Sequence, residues 1–447
     1  MGGEYDVNMT GNPALVAGLL RPEAYPHRPR RVRLVETHIS YVFLAGPYAY
    51  KVKKPVNFGF LDYSTLEKRR HFCEEEVRLN QALCPGTYLR VVPIVRTPTG
   101  LLVGGEGEPV EYAVLMRRLP VSRMLDRLVR RGRVDPEAVV RIARKVAAFH
   151  AASDHGPEID RFGEPELIRF NWEENFAQTA PYIGRTIPRR WYEGIRRYVT
   201  GFLDTSAGLL LGRIGQGRIR DCHGDLRAES ICVENGICIF DRIEFNDRFR
   251  YGDVAAEVAF LAMDLDALGR PDLGYLFAES YIEASGDREL RRLLPFYQCY
   301  RAYVRGKVTS FRLDQVETDA ERRRIRRVAR RYFRLAWDYA RAPAGPALMV
   351  LTGVSAESGP VLGRGLACRL GASFHPGGAV RAIRTDLEAG YPVVVTLADP
   401  EVRLEELVGV RPAVVIDCRA AVSVGGPPAR ALDRILRSVY ARLDPAG

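Results

Sequence analysis

The sequence predicts an α+β protein of two lobes, a small antiparallel sheet followed by a large helical region, with a separate α/β domain at its C-terminal end. Three observations predict it. Residues 31–54 alternate β-branched or aromatic residues with polar ones, beyond Pro120 the apolar residues recur at helical spacing, and after a Pro/Gly-rich break the pattern changes again. That last pattern runs from an apolar strand through a small-residue turn into a helix, which is the alternation of an α/β layer.

Taken in order, RVRLVETHISYVFLAGPYAYKVKK breaks at Thr37-His38 and at Gly46-Pro47, so it reads as two or three strands of a meander. From Ser64 the spacing becomes helical, with Leu66, Phe72, Val77, Leu79 and Leu83 among charged residues, Ser64 as a cap and Glu67 as its reciprocal partner. Strands are expected at 90–96 and 110–117. Helices are expected at 135–150, 188–211, 254–268, 272–285, 288–313 and 318–341. The stretch 341–346, Arg-Ala-Pro-Ala-Gly-Pro, reads as a linker, so the domains are placed at 1–342, with lobes of about 31–119 and 120–342, and at 347–447. In the latter, strands are expected at 347–351, 392–397 and 412–416, and a helix at 361–370.

The 447 residues, 47% of them apolar, exceed a single core and suffice for two or three. There is no run of about 18 uninterrupted apolar residues, and MGGEYDVNMTGNPALVAGLL lacks a charged start followed by an apolar core and cleavage site. A cytoplasmic protein without a membrane partner is expected. Eight cysteines occur without a Cys-x-x-Cys pair, so the reading is of reduced thiols and neither a zinc site nor a disulfide framework. The net charge of +11 is carried by arginine, since only six of the 66 basic residues are lysines.

Phosphoryl transfer asks little covalent chemistry of a protein. It needs a cation on the nucleotide phosphates, metal-binding carboxylate and a carboxylate to orient the attacking hydroxyl. The sequence offers a lysine on a strand at Lys51, Asp225 in the loop Cys222-His223-Gly224-Asp225-Leu226, and Asp241 closing the apolar strand 237–240. The sixteen residues from Asp225 to Asp241 accommodate a short hairpin that brings both carboxylates to one cleft.

CHGDLRAESICVENGICIFDRIEF resembles the catalytic segment of the aminoglycoside phosphotransferase family, which has a protein-kinase-like fold. The segments THISYVFLAGPYAYKVKKPVNFGFLDYSTLEKRRHFCEEEVRLNQAL and RFRYGDVAAEVAFLAMDLD are similar to a bacterial subgroup of that family fused to a C-terminal P-loop kinase domain. The resemblance covers residues 31–342 and, more faintly, the remainder. It implies an ATP- and Mg2+-dependent kinase of a small hydroxylated molecule, with Asp225 as base, Asp241 as metal ligand, and Lys51 on the nucleotide phosphates paired with Glu76. His223 is expected to brace the loop. Strand alternation puts Lys51 and Lys53 on one face, so Lys53 competes with Lys51, and Glu75 competes with Glu76.

Three features depart from that pattern or stand apart from it. Ser230 occupies the position where the resembling loop carries a second metal ligand, usually asparagine, and a serine hydroxyl is a weaker ligand. After the strand at 347–351 the sequence reads Gly353-Val-Ser-Ala-Glu-Ser-Gly-Pro360, with Gly359 and Pro360 where a P-loop places its lysine and its hydroxyl. A degenerate P-loop domain with a structural or regulatory role is expected. The arginine run beginning at Glu321 alternates with an apolar stripe of Ile325, Val328, Tyr332, Phe333, Leu335 and Ala336, so it reads as the solvated face of a helix, and nucleic acid is not an expected partner. A small-molecule hydroxyl acceptor is the expected partner, and a homo-oligomer is compatible with the sequence. Ser230 and the missing P-loop lysine also admit a second reading, a pseudokinase that responds to nucleotide without turning it over.

Overall fold

The computed structural model describes residues 12–234, 236–377, 379–397, 413–419 and 428–443. Residues 1–11, which head the stretch read for a leader, and residue 412 of the last expected strand lie outside the described residues. The chain divides into two compact units, 1–128 with 223–250, and 129–222 with 251–447. The loop expected to carry the catalytic aspartate thus groups with the sheet, and the expected boundary at 342 falls inside the second unit.

The first unit is built on a six-stranded antiparallel sheet of β1 (Val32–Glu36), β2 (Ser40–Ala45), β3 (Tyr48–Lys53), β4 (Tyr88–Thr97), β5 (Gly100–Val103) and β6 (Pro109–Arg117), in the order β1-β2-β3-β6-β4-β5. The expected meander is present, with breaks at the expected places. Period-two alternation divides the sheet between two packings. Tyr50 and Val52 of β3 join Phe43, Ile94, Ala113 and Leu115 in a core closed by Leu15 and Leu19 of helix α1 (Pro13–Leu19). The opposite face of β6 presents Val114 and Met116, which pack with Cys73 and Val77 of helix α2 (Leu66–Asn80). Lys51 and Lys53 lie on this second face. Thr65, one residue beyond the expected Ser64, caps α2 by accepting the Lys68 N–H, while the Ser64 hydroxyl is turned to Asp62. A hairpin of Ile231–Glu234 and Gly236–Ile239 completes the unit. Cys84 and Cys238 form a disulfide, with Cα atoms 4.5 Å apart, contrary to the expected reduced thiols. The two are 154 residues apart, so no local spacing announces the pair.

The second unit is mainly helical: α3 (Pro136–Ala152), α4 (Pro165–Thr179), α5 (Arg189–Thr205), α6 (Val254–Ala267), α7 (Pro271–Ser285), α8 (Leu290–Phe311) and α9 (Asp319–Tyr339). The expected helix at 188–211 is broken at Ser206, beyond which a separate helix spans Ala207–Gly215. Helix α4 is not among the expected elements, although Ile168, Trp172, Phe176 and Thr179 form its buried stripe. Asp253 caps α6 by accepting the Ala255 N–H at 2.8 Å and holds the buried Arg213 in a two-pronged ion pair. The C-terminal part carries a parallel sheet of Leu348–Thr352, Ser373–Pro376, Val393–Thr396 and Ala413–Asp417, with Leu348–Thr352 paired between the last two. Among the described residues no helix is long and apolar enough to cross a membrane.

Candidate active site

Lys51 lies third from the end of β3, on the face that meets α2, where Cys73, Glu76, Leu79 and Asn80 form the buried stripe. A glutamate inside a helix stripe is tolerable only when paired, because an isolated buried charge is expensive to desolvate. Glu76, fully buried, is paired twice: Oε1 accepts from Lys51 Nζ at 2.7 Å and Oε2 from Lys53 Nζ at 2.8 Å. The competition between the two lysines therefore ends with both engaged, in different roles. Lys53 is fully buried, donating also to Glu244 and to the Tyr63 hydroxyl, which in turn donates to Glu244 at 2.5 Å. Lys51 reaches outward to Asp241 Oδ1 at 2.6 Å. Glu75 is spent on Arg78, so Glu76 is the helix residue at the site.

Burial works against the charge on Lys51, but Asp241 and Glu76 outweigh it and hold its pKa well above the usual lysine value. Glu76 is likewise opposed by burial and held below the usual glutamate value by Lys51 and Lys53. Lys51 is the main cause that draws Asp241 down to about 2. All three are charged at neutral pH.

Asp241 has φ of +65°, a left-handed conformation that a residue with a β-carbon adopts only when its neighbours impose it. Its N–H donates to the Tyr88 hydroxyl at 3.0 Å, and the next N–H, of Arg242, donates to Asn80 Oδ1 at 2.9 Å. Asn80 lies one turn beyond Glu76 on α2 and donates to its carbonyl at 2.8 Å. One helix thus fixes both the partner of Lys51 and the backbone of Asp241. The Asp241 side chain is 55% exposed, and its Oδ2 has no hydrogen bond among the described residues. A carboxylate with one free oxygen open to solvent suits magnesium, which is commonly bound by one or two carboxylates, substrate phosphates and water.

The loop ahead of the hairpin is held by His223 and Gly224. The Asp225 N–H points to His223 Nδ1 at 3.3 Å, so that nitrogen is the acceptor and Nε2 carries the proton donated to the Phe240 carbonyl at 2.9 Å. His223, buried, is a brace between the loop and the residue before Asp241. Gly224 has φ of +89°, and a β-carbon there would stand 2.8 Å from the Phe249 carbonyl oxygen. Only glycine fits. Asp225 is held by a guanidinium: Arg227 donates from Nε to Oδ1 at 2.8 Å and from Nη2 to Oδ2 at 2.6 Å. Ser230 turns its hydroxyl to the loop backbone, accepting the Arg227 N–H at 3.2 Å and donating to the Arg227 carbonyl at 2.9 Å. It closes the turn that shapes the loop.

The structure therefore joins Lys51, Glu76 and Asp241 in direct contact, and places Asp225 and Ser230 on the adjoining loop. Sequence reasoning passed over Glu244, Arg227, Tyr63 and Tyr88. Glu244 follows Asp241 by three residues and Arg227 follows Asp225 by two, spacings visible in the quoted segment, whereas the tyrosines enter only through the fold.

No family model matches the chain. Curated proteins of Mycobacterium tuberculosis and Mycobacterium bovis, described as uncharacterized, are 37% identical to it over 286 residues, 64% of this chain and 56% of theirs. The chain thus spans about half the length of the curated relatives it matches. Among solved structures, a choline/ethanolamine kinase family protein from Mesorhizobium loti is similar at 11% identity and a TM-score of 0.41, covering 72% of this chain and 99% of that one. A Plasmodium vivax ethanolamine kinase is similar at 11% identity and a TM-score of 0.40, covering 70% and 82%. Aminoglycoside phosphotransferase APH(2'')-Ib, bound to ADP, is similar at 11% identity and a TM-score of 0.35, covering 68% and 95%. At such scores these likenesses carry no weight of their own, and the reading of the site rests on its geometry.

Proposed function

We propose that this site transfers a phosphoryl group from a nucleoside triphosphate, ATP, to a hydroxyl of a small molecule, a sugar, an aminoglycoside-like compound or another metabolite. The observation that supports it most is Lys51 held between Glu76 and Asp241, a strand lysine fixed by a helix glutamate beside a half-exposed carboxylate. Glu76 fixes the Lys51 ammonium where the phosphates would lie, and Asp241 Oδ2 would hold magnesium, whose charge neutralises the phosphoryl oxygens when it is bound. Arriving phosphates would exchange the contact between Lys51 and Asp241 for one between Lys51 and phosphate. The acceptor hydroxyl attacks the γ-phosphorus and its proton passes to Asp225. The bond from that phosphorus to the β,γ-bridging oxygen breaks, and the nucleoside diphosphate leaves.

The clasp of Arg227 on both Asp225 oxygens favours a second reading, a weakly catalytic pseudokinase that binds nucleotide as a regulatory module. The engagement of Ser230 with the loop backbone adds to it, because a second metal would lack that hydroxyl. In either reading the segment after Leu348–Thr352 is a degenerate P-loop. It has no lysine, Ser355 and Ser358 bond to each other, and Gly359 lies inside the helix Ser358–Leu370.

ATP turnover with magnesium across sugars, aminoglycosides and small alcohols, by the wild type and Asp225→Ala, tests the proposal. A drop of about 10²–10⁴-fold in the variant is expected of a lost general base. Equal turnover in the two proteins would refute the assignment. Absent turnover in both, with ATP still raising the melting temperature, would establish the regulatory reading.

A further inference from the structure

A cavity of about 940 Å³ in the second unit is lined by eight arginines against two aspartates, together with Trp191, Trp337 and Tyr440. Six of the arginines come from α9 and the two residues after it, at 326, 327, 330, 331, 334 and 341. Arg326, Arg330 and Arg334 stand four residues apart, and Arg327 and Arg331 form a parallel row beside them, so all five share one helix face. Like charges at that spacing repel. Elsewhere the fold answers such arginines with acids, as in Arg70 with Glu74 and Arg189 with Glu193. Of these five, among the described residues, it does so for Arg334 alone, which meets Asp433 at 3.3 Å and Asp338 at 3.8 Å. Arg326, Arg327 and Arg331, all exposed, have no ion pair or hydrogen bond among the described residues.

What holds some of the other guanidinium groups is aromatic. Arg330 lies 5.8 Å from the Trp191 ring, and Arg341 lies 5.5 Å from Trp337 and 4.2 Å from Tyr440. Gly194 makes room for Trp337, since a β-carbon there would overlap the indole. A guanidinium held beside an aromatic ring by cation–π attraction keeps N–H groups for a second partner, and its planar fork matches phosphate oxygens. From Arg326 to Arg341 the row extends about 20 Å at 1.5 Å per residue, longer than a triphosphate and long enough to meet several phosphates of one strand. A basic groove interleaved with aromatic rings is how proteins seat single strands without reading their sequence. The sequence alone reads these arginines as the solvated side of an amphipathic helix. The cavity, the arginines without an acid among the described residues and the guanidinium groups beside aromatic rings are what the structure adds.

We propose that this cleft is a binding site for the phosphate backbone of a single-stranded nucleic acid, distinct from the Lys51 site.

The test is fluorescence anisotropy of an end-labelled single-stranded RNA of about twelve nucleotides, titrated with the full chain at several salt concentrations. The logarithm of affinity should fall linearly with the logarithm of salt, by about 0.7 for each phosphate contact. Arg327→Glu combined with Arg331→Glu should weaken binding at least tenfold and make the slope shallower by about 1.4, while Lys51→Met leaves both unchanged. Because neither arginine bonds to the fold among the described residues, and the exchange relieves like-charge repulsion along the helix, the melting temperature of the variant should be no lower than that of the wild type, which separates lost binding from lost folding. No binding at low salt would overturn the proposal, as would undiminished binding by the variant. Equal affinity for polyglutamate of the same charge would show a general acidic-polymer surface instead. Displacement of the strand by ATP at concentrations that fill only the Lys51 site would place the phosphates there.

Discussion

The chain places its cations in two contrasting settings. On the sheet, two lysines are locked among Glu76, Glu244 and Asp241, with every charge answered. Along α9, arginines crowd one face, where Arg334 meets aspartates while Arg330 lies beside a tryptophan ring and Arg326, Arg327 and Arg331 face solvent. A paired buried cation has its direction fixed before any ligand arrives, whereas an unpaired exposed one leaves room for an anion from outside. The first setting suits a reaction that needs one phosphate chain held in one pose. The second suits a polymer that slides and makes many equivalent contacts.

Substitutions should separate the two settings by what they do to the fold. Lys53→Met strands two buried carboxylates, Glu76 and Glu244, so a loss of about 3–5 kcal/mol in urea unfolding is expected, the largest effect proposed. A smaller loss would mean that the Tyr63 hydroxyl carries more of Glu244 than the lysine does. Gly224→Ala meets both a positive φ and the Phe249 carbonyl, and should cost about 1–3 kcal/mol in the same assay. It should also disturb the loop of Asp225, so turnover should fall even where the protein remains folded.

Much of this was legible in the sequence because it is local. The meander at 31–54 follows from alternation and two turn signals, Lys51 lies on one of its strands, and Asp225 and Asp241 stand in loops that flank recognisable strands. The apolar stripe of α9 was only partly legible. Ile325, Phe333, Leu335 and Ala336 are buried, but Val328 is 39% exposed, because a helix pressed on one side buries a narrower stripe than its apolar residues mark out. What was not legible is long-range. Glu244 reaches Lys53 across 191 residues, and the disulfide spans 154, distances at which spacing carries no signal. The cap at Thr65 instead of Ser64 reflects a different difficulty. Two adjacent hydroxyl residues are both good caps, and the bond from Ser64 to Asp62 decides between them.

The arginine setting has a pH signature of its own. Burial raises Asp338 to about 6, opposed by Arg369 and Arg334 and assisted by Asp433 and Asp266. A carboxyl raised in the folded state stabilises it below the unfolded pKa, and that contribution is lost as pH climbs through the folded value. Stability should therefore decline between about pH 4 and pH 6, by something on the order of 2 kcal/mol, and Asp338→Asn should flatten that decline in urea midpoints measured across the range. Arg327→Glu with Arg331→Glu stands at the other extreme, with an unfolding midpoint no lower than that of the wild type expected.

The most direct measurement is calorimetric titration of ATP with magnesium into the wild type, Lys51→Met, and Arg327→Glu with Arg331→Glu, each first shown to melt cooperatively. The account predicts at least tenfold weaker nucleotide binding in the lysine variant alone. Unchanged affinity in Lys51→Met, or an equal loss in the arginine variant, would contradict it.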